Sequence, residues 1–397
     1  MIRAVDFYNI DELLTDEERL VRNSVREFLE KEIKPLVADA WHEERPLNFR
    51  EIGKKFGQLG MLGPFIPEEY GCPGATYTIF GLVCQEVERV DSALRSFVAV
   101  TSGLVMFPIW KYGTEEQKKK YLPKLARGEL IGCFGMTEPD VGSDPGSMKT
   151  SARKNGDEWI INGTKTWITE GDLADIAIIW ARDVEDKKIK GFIVEKEMEG
   201  FHQYAITKKG SMRAGGVGEI GLVNCKVPEE NRLPGAVGLR PGLSCLDQAR
   251  YGIAWGSIGA AMDCFETALN YVKERKQFGS PLAAYQLVQA KLVNMLTEIT
   301  KGQLLNWRLG RLMDEGKATP EQISLAKRNN VRVARFCARK AREMLGANGI
   351  SLDYSPIRHM ANIESVYTYE GTDDIHTLIL GRALTGIQAF RRELIVK

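Results

Sequence analysis

The spacing of apolar residues changes twice along the chain, and this change constrains the fold most strongly. Residues 1–130 and 241–397 carry apolar side chains at helical intervals, whereas residues 131–240 are rich in β-branched and aromatic residues separated by short turns. A chain of 397 residues also exceeds one simple core. The sequence therefore predicts an α+β protein with an N-terminal helical domain (1–130), a middle β domain (131–240) and a C-terminal helical domain (241–397).

Two capping boxes support the helical assignment of the first domain. In Thr15-Asp16-Glu17-Glu18 the threonine hydroxyl can accept from the Glu18 amide while the Glu18 side chain reaches back. Thr114-Glu115-Glu116-Gln117 repeats the pattern. Between the two boxes, residues 78–106 are mostly apolar with few helix breakers, which predicts buried helices.

The middle segment shows closely spaced strands without helices between them. Asn162-Gly163, between Trp159-Ile160-Ile161 and Thr166-Trp167-Ile168-Thr169, predicts a hairpin turn, and Asn155-Gly156 predicts another turn. An antiparallel barrel or sandwich is therefore expected. The run Gly216–Gly221 matches G-x-G-x-x-G, but it leads into another strand, so we reject dinucleotide binding there.

Long amphipathic segments follow Pro241 and are separated by glycine, proline or polar residues. They run roughly over 245–275, 284–315, 320–347 and 370–393. Four long helices with short connections predict an up-and-down bundle.

Composition excludes several classes of protein. Lys plus Arg number 54 against 53 for Asp plus Glu, so the net charge of +1 gives no reason to expect nucleic acid or a membrane surface as partner. The N-terminal residues contain no apolar signal core, so neither a signal nor a transit peptide is expected, and no apolar run predicts a membrane span. The seven cysteines form no C-x-x-C pair and no metal spacing with the four histidines, which indicates buried thiols in a reducing compartment, the cytoplasm by default, and no metal site.

One carboxylate stands out near the C-terminus. Glu370 lies between Tyr369 and Gly371 in a chain that otherwise resembles packed helix. Burial would raise its pKa and make it a better base. On these residues alone, a solvated loop glutamate remains the better interpretation.

Two further segments have the composition of ligand sites. Residues 134–144 combine glycines, hydroxyls and free amides, and Trp167 beside Thr169 suits a flat conjugated ring. The alternative is an interdomain linker. Arg275-Lys276-Gln277-Phe278-Gly279 could bind phosphate at a helix end, although a solvated basic helix end is the simpler interpretation.

Taken together, these segments resemble the acyl-CoA dehydrogenase family, and most closely its glutaryl-CoA dehydrogenase branch. The resemblance covers nearly the whole chain in order. It is carried by Arg89–Ser92 with Arg95-Ser96, Tyr121–Leu125, Gly132–Gly135, Gly163–Thr169, Ala249–Gly256, Thr368–Thr372 and Leu378–Arg382.

The resemblance implies the family fold: an N-terminal helical domain, a middle antiparallel β-barrel and a C-terminal four-helix bundle. It also implies bound FAD and a homotetramer. By resemblance, the flavin ring is flanked by Phe134, Met136, Thr137, Gly142, Ser143, Trp167, Ile168 and Thr169. The adenosine diphosphate part would be held across a subunit interface by Arg275, Phe278, Gln286, Glu343, Leu345, Gly346 and Ala347, and further contacts would come from Thr372, Asp374 and Phe390.

The same resemblance assigns the chemistry. Glu370 matches the base that removes the proton alpha to the thioester carbonyl while the beta hydride moves to flavin N5. Contacts to the thioester's arm would come from Ser143, Asp247, Arg250 and Gly371. Reduced FAD is reoxidised in this family by an electron-transferring flavoprotein.

Glu88 and Arg95 indicate the class of substrate. Both lie in an otherwise apolar stretch. In the glutaryl branch the matching arginine binds the distal carboxylate of the substrate, with Ser96 beside it and with Glu88 and Tyr369 in its network. Arginine suits this role through its bidentate fork. The alternative is a structural ion pair between residues seven apart on one helix face.

Several positions depart from the glutaryl pattern. The branch typically has serine and glutamine at Ala99 and Thr101, asparagine at Glu170 and histidine at Asp373. The smaller residues near Arg95 favour a larger acyl pocket than is usual in this branch. The leading expectation is glutaryl-CoA oxidation with decarboxylation to crotonyl-CoA, which Tyr369 favours. The alternatives are (R)-2-benzylsuccinyl-CoA oxidation to phenylitaconyl-CoA without loss of CO₂, and an acyl-CoA oxidase using O₂.

Overall fold

The computed structural model describes residues 4–389. Within that range, seven α-helices precede the sheet and five follow it. The first seven are α1 (Asp16–Phe28), α2 (Lys34–His42), α3 (Phe49–Gln58), α4 (Tyr77–Val90), α5 (Ser92–Ala99), α6 (Phe107–Tyr112) and α7 (Glu115–Ala126).

Both predicted capping boxes are confirmed. The Thr15 hydroxyl accepts from the Glu18 amide at 3.2 Å, and the Glu18 carboxylate accepts from the Thr15 amide at 2.8 Å. Thr114 and Gln117 make the same reciprocal pair at the start of α7. These local bonds satisfy amides that the first helical turn leaves without partners.

The predicted buried helices between the boxes are confirmed as α4, α5 and a π-helical stretch, Val100–Met106, that joins α5 to α6. Among residues 4–389, only the run Ser92–Tyr112 has the length and mean hydropathy, 1.5, to cross a membrane. Its most apolar window is entirely buried inside the protein, as in a core helix.

Asp91 breaks the helical run between Glu88 and Arg95. Its backbone is extended, with φ −162°, and its carboxylate accepts from the Ala93 amide at 2.8 Å to cap α5. The prediction that Glu88 and Arg95 share one helix face is therefore wrong. The two residues lie on α4 and α5 and meet across the corner that Asp91 makes.

The described strands are β1 (Gly132–Gly135), β2 (Ser151–Asn155), β3 (Glu158–Thr169), β4 (Ile176–Asp183), β5 (Ile189–Glu195), β6 (Phe201–Ala205), β7 (Val217–Pro228) and β8 (Arg232–Val237). They form one sheet in the order β6-β7-β3-β2-β4-β5-β8, with β1 beside β4. Most neighbours are antiparallel, as expected, but β4 pairs in parallel with both β1 and β2. The run Gly216–Gly221 leads into and forms part of β7, which agrees with the rejection of a dinucleotide motif.

The hairpin predicted at Asn162-Gly163 is wrong. Strand β3 continues through both residues, and its register against β7 shifts between Ile161 and Gly163. Asn162 bonds sideways to Asn224 of β7, its Oδ1 accepting from the Asn224 amide at 2.8 Å. The dipeptide therefore forms an irregularity inside a long strand, whereas the predicted turn at Asn155-Gly156 does connect β2 to β3.

The C-terminal segment contains α8 (Arg240–Glu274), α9 (Gln286–Asp314), α10 (Pro320–Met344), α11 (Ser355–Thr368) and α12 (Asp373–Thr385). A short hairpin of β9 (Lys276–Gln277) and β10 (Ser280–Pro281) joins α8 to α9. The four predicted segments contain α8, α9, α10 and α12, whereas α11 lies between the third and fourth segments and was not predicted. The long helix α8 packs against both α4 and α10.

The seven cysteines are free and buried, as predicted. The domain boundaries at 130/131 and 240/241 stay a prediction; the strands of the large sheet lie between Gly132 and Val237.

Candidate active site

Glu370 lies in the break between α11 and α12. Helix α11 ends at Thr368, and Thr372 caps α12 by accepting from the Ile375 amide at 3.1 Å. Between them the chain turns through left-handed conformations, with φ of +54° at Glu370 and +97° at Gly371. A glutamate in this region is strained, and such strain persists only where surrounding contacts hold it.

Two cations hold the backbone of this turn. The Arg250 Nε donates to the Glu370 carbonyl at 2.8 Å. The Lys327 Nζ donates to the carbonyls of Tyr369 and Gly371, at 3.1 and 2.9 Å. The carboxylate is not used in this way, since its buried Oε2 has no hydrogen-bond partner among the described residues. The backbone is therefore fixed while the carboxylate stays available to a ligand.

Burial raises the pKa of the Glu370 carboxyl to about 7, and the positive charges of Arg95, Arg250 and Lys327 oppose this rise. A base works best when its pKa lies near the pH at which it acts. The solvated-loop interpretation of Glu370 does not fit these surroundings.

Arg95 is fully buried, with an exposed fraction of 0%. Its Nε donates to the Glu88 Oε2 at 2.7 Å, and one terminal nitrogen donates to the Tyr369 hydroxyl. Its other terminal nitrogen, Nη1, and the Glu88 Oε1 have no hydrogen-bond partner within residues 4–389. A buried guanidinium with an unpaired donor loses solvation without compensation unless a ligand supplies an acceptor.

Gly256 of α8 makes room for this pair. A Cβ added at Gly256 would lie 2.0 Å from the Glu88 Oε2 and 3.0 Å from the Arg95 Cγ. Only glycine lets α8 approach the ion pair this closely. Sequence analysis placed Gly256 in a family segment without recognising this requirement.

The remaining predicted substrate residues divide into two groups. Arg250 and Asp247 form an ion pair at 2.9 Å beside the Glu370 turn, and Ser96 meets Thr169 through their hydroxyls at 3.2 Å. Ser143 lies exposed in the loop between β1 and β2, and no described hydrogen bond joins it to the others. The first group thus lies around Glu370 and Arg95, and Ser143 makes no hydrogen bond to it within the described residues.

The residues predicted to flank a flavin lie at the ends of β1 and β3. Phe134 belongs to β1, Met136 follows it, and the Thr166 amide donates to the Thr137 carbonyl at 3.0 Å. Trp167 has a left-handed backbone, φ +59°, and a side chain that is 63% exposed. Ile168 is buried, whereas Gly142 lies exposed in the loop after β1.

Lys165 and Glu138 stabilise the turn that follows β1, and the sequence did not predict either residue as part of the site. The Lys165 Nζ donates to the Glu138 carboxylate at 2.8 Å and to the Met136 carbonyl at 3.1 Å. Glu138 also accepts from the Thr150 amide at 2.9 Å. Burial lowers the pKa of Lys165 to about 8, against the effect of Glu138. The pair fixes the turn that follows β1.

Glu170 follows the predicted flavin segment and is fully buried, with a left-handed backbone of φ +55°. Neither carboxyl oxygen has a hydrogen-bond partner in the described part of the chain. Burial, reinforced by the charge of Asp172, raises its pKa well above the ordinary value. Burial therefore favours the protonated form of this carboxyl.

The residues predicted to hold adenosine diphosphate lie near the α8–α9 hairpin and the end of α10. Arg275 lines one surface depression together with Leu345, Gly346 and Ala347. Phe278 is 96% exposed, and Gln286 is the exposed first residue of α9.

Glu343, Thr372 and Asp374 were also predicted to contact the cofactor. Glu343 forms an ion pair with Lys291 at 3.3 Å. The Thr372 hydroxyl is engaged as a helix cap, and Asp374 is exposed in the first turn of α12. Phe390 lies outside the described residues.

The fold and this site define a family. The N-terminal, middle and C-terminal domain models of acyl-CoA dehydrogenase match residues 15–129, 133–225 and 237–385. The chain belongs to the acyl-CoA dehydrogenase family, and it is an FAD-dependent oxidoreductase that acts on CH–CH bonds of acyl-CoA substrates.

Similar proteins include both glutaryl-CoA dehydrogenases and a short-chain specific acyl-CoA dehydrogenase. A solved glutaryl-CoA dehydrogenase from Mycobacterium smegmatis, in complex with FADH2, is 47% identical with a TM-score of 0.96, over 98% of this chain and 100% of that one. Glutaryl-CoA dehydrogenase from Desulfococcus multivorans is 34% identical over 96% of this chain and 99% of its own. The short-chain specific acyl-CoA dehydrogenase of Clostridium acetobutylicum is 35% identical over 92% and 97%.

The side chains present fit FAD. Trp167 offers an exposed flat indole at the rim of the sheet, and a Cβ added at Gly346 would meet nothing within 4 Å, which leaves open space beside Arg275. An aromatic face suits a conjugated ring, and an arginine suits a pyrophosphate. Among residues 4–389, no cluster of three or more histidine, cysteine or acidic side chains could hold a metal ion.

Lys327 is the functional candidate that sequence analysis missed entirely. The signal was present, because Lys327 occupies the buried stripe of α10 with Ile323 and Val331. A lysine at such a position is unusual unless it has a partner inside the fold.

Proposed function

We propose that the chain oxidises the Cα–Cβ bond of a dicarboxylyl-CoA thioester, with glutaryl-CoA and its decarboxylation to crotonyl-CoA as the leading candidate. The observation that carries this proposal is the buried Arg95 guanidinium, which keeps one donor without a partner close to Tyr369, the neighbour of Glu370.

Glu370 is the proposed base for the alpha proton. Its backbone is fixed by Arg250 and Lys327, its carboxylate is free, and its pKa of about 7 suits proton abstraction near neutral pH. The Glu370 backbone amide is the proposed donor to the thioester carbonyl, where negative charge develops as the proton leaves. Bound FAD supplies the acceptor for the beta hydride.

Arg95 is the proposed anchor for the distal carboxylate. Its free Nη1 can donate to a substrate oxygen while Nε remains on Glu88, and the Tyr369 hydroxyl can turn to the same carboxylate. An ion pair between Glu88 and Arg95 does form, so the two interpretations of this pair are compatible. Glu88 then fixes the guanidinium that binds the substrate.

A bulkier dicarboxylate such as (R)-2-benzylsuccinyl-CoA is the second candidate. Support for this candidate comes from Ala99, four residues after Arg95, whose side chain is smaller than the serine typical of the glutaryl branch. Tyr369 supports the decarboxylating candidate by the resemblance described above.

The base assignment is tested by Glu370→Gln in the FAD-loaded enzyme. We expect normal flavin content and loss of dehydrogenation, because the amide keeps the shape of the side chain but cannot accept the proton. Glu364→Gln is the matched control, since Glu364 lies on α11, is partly exposed and pairs with Arg335 at 2.8 Å. Full activity in Glu370→Gln would remove the proposed mechanism.

The substrate is tested with glutaryl-, benzylsuccinyl- and butyryl-CoA under anaerobic conditions with an artificial dye. Product masses and CO₂ release separate the candidates, and rapid turnover with O₂ would instead indicate an oxidase. Preference for butyryl-CoA would contradict the dicarboxylate proposal.

We further propose an electron-transferring flavoprotein as acceptor, a homotetramer as assembly and the cytoplasm as location. Support comes from the exposed Trp167 indole, from large exposed apolar side chains such as Phe278, Leu287 and Leu384 on the C-terminal helices and hairpin, and from seven free, buried thiols. Reduction of the acceptor in mixed solution and sedimentation of the purified enzyme test the first two.

A further inference from the structure

We propose that Lys327 is a positioning residue for the reaction, which fixes the backbone on both sides of Glu370 and places a positive charge beside the base. The inference rests on the proposed role of Glu370. It adds a residue that acts through the base without contacting the substrate.

Lys327 holds the Glu370 turn through two hydrogen bonds, one on each side of Glu370. Lys327 lies on α10 with an exposed fraction of 1%, and its Nζ donates to the Tyr369 carbonyl at 3.1 Å and to the Gly371 carbonyl at 2.9 Å. These carbonyls belong to the residues immediately before and after Glu370. One donor group therefore spans the strained left-handed turn and opposes its relaxation.

The partners of Lys327 distinguish this role from ordinary packing. Within residues 4–389, no carboxylate lies within 4.0 Å of its Nζ, so the ammonium is held by carbonyl groups and not by an ion pair. Burying a lysine without a close counter-charge is costly, and an apolar residue would fill the same stripe of α10. The charge and its two donors thus serve the turn that carries Glu370.

The electrostatic surroundings connect Lys327 to the base. The charged and titratable groups that face it are Glu370, Asp373, Arg250, Arg95 and His376. Burial lowers the pKa of the Lys327 ammonium to about 7, while Glu370 opposes this shift. The positive charge of Lys327 in turn lowers the pKa of Glu370 against the effect of burial.

His376 does not supply a competing charge. Burial, helped by Lys327 and Arg250, lowers its pKa to about 3, so the imidazole is neutral near pH 7. A Cβ added at Gly371 would lie 2.9 Å from the His376 Nε2, which shows how closely this neutral ring packs under the turn. Removal of the Lys327 charge is therefore not compensated by His376.

The test is the pH profile of kcat/KM for the FAD-loaded enzyme with its best acyl-CoA substrate. In Lys327→Met the acidic limb should move upward by about one pH unit, with a rate loss of about tenfold below that limb, because an opposite charge near a carboxylate shifts its pKa by roughly this much. Flavin content should stay that of the wild type. Lys301→Met is the matched control, since Lys301 lies exposed on α9 and pairs with Glu298 at 2.5 Å.

The same pH profile can be measured in Lys327→Gln if the methionine variant does not fold. It keeps a donor for one carbonyl but removes the charge, so the limb should again move upward. An unmoved limb in a folded variant overturns the inference, whether the rate is normal or uniformly reduced, because a structural role alone would not change the ionisation of Glu370.

Failure of the positioning role of Lys327 can be distinguished from failure of the base assignment to Glu370. If Glu370→Gln keeps full activity, the base assignment fails whatever Lys327 does. If Glu370→Gln is inactive while the Lys327 variants keep the wild-type limb, only the positioning role fails.

Discussion

Replacing both members of the buried Glu88–Arg95 pair with methionine separates the contribution of this pair to stability from its contribution to substrate choice. Both side chains have zero exposure, and the Nε–Oε2 distance is 2.7 Å. Either single replacement leaves one buried charge without its partner, which costs about 3–5 kcal/mol. The double variant leaves no charge, and apolar replacement of a buried pair is often neutral or stabilising.

The size of the effect follows from the length of the chain. An unfolding entropy of about 2.1 cal/mol/K per residue gives roughly 0.8 kcal/mol/K for 397 residues that unfold cooperatively. Each single variant should therefore lower Tm by about 4–6 °C. The double variant should recover at least half of that loss, although the Tyr369 hydroxyl also loses its partner.

The functional assay compares kcat/KM for glutaryl-CoA and butyryl-CoA in the holoenzyme. A hydrogen bond to a charged group contributes about 1.5–3 kcal/mol, so Arg95→Met and the double variant should lose about 10- to 150-fold on glutaryl-CoA. Butyryl-CoA has no distal carboxylate, and its turnover by the double variant should change little.

Arg89→Met is the matched control for this experiment. Arg89 is another buried arginine of the same region, paired with Glu266. Its loss should lower Tm without changing the ratio between the two substrates. Equal losses on glutaryl- and butyryl-CoA in the double variant would refute the carboxylate anchor, and additive losses of Tm would refute the coupling of the pair.

Three further outcomes are expected. Burial raises the pKa of Glu370 to about 7, so the proton-accepting carboxylate is lost as pH falls through 7, and kcat/KM should fall about tenfold per pH unit below it, which steady-state rates will show. Gly256→Ala places a Cβ 2.0 Å from the Glu88 Oε2, which should cost about 1–3 kcal/mol in thermal unfolding and raise KM for dicarboxylyl-CoA. Lys165→Met leaves Glu138 without its cation and frees the turn after β1, so flavin absorbance of the purified protein should decrease; unchanged flavin content would contradict that role.

Local patterns predicted the parts of the fold that depend on near neighbours in sequence. The boxes at Thr15 and Thr114 formed as predicted, because each needs only the amide and side chain three residues away. The turn predicted at Asn162-Gly163 did not form, because it depended on the dipeptide alone. The pairing of β3 with β7, about sixty residues further along the chain, keeps these residues in a strand.

In the candidate site, too, local patterns predicted some features, and long-range contacts decided others. Motif resemblance indicated Glu370 and Arg95. The seven-residue spacing of Glu88 and Arg95 suggested one helix face, whereas the cap at Asp91 places them on two helices. Lys327 carried only a weak sign, a lysine in an apolar stripe, because its partners are backbone carbonyls whose position no side-chain pattern records.

The sequence by itself determined the order of helices, sheet and helices, the family and the identity of the candidate base, because periodicity, caps and motifs are local properties of the chain. The tertiary structure decided what that base can do. The pKa of Glu370 and the unpaired nitrogen of Arg95 arise when α4, α5, α8 and α10 close around the turn after α11 and remove water from both groups. Desolvation depends on which distant segments come together, and that information exists only in the folded chain.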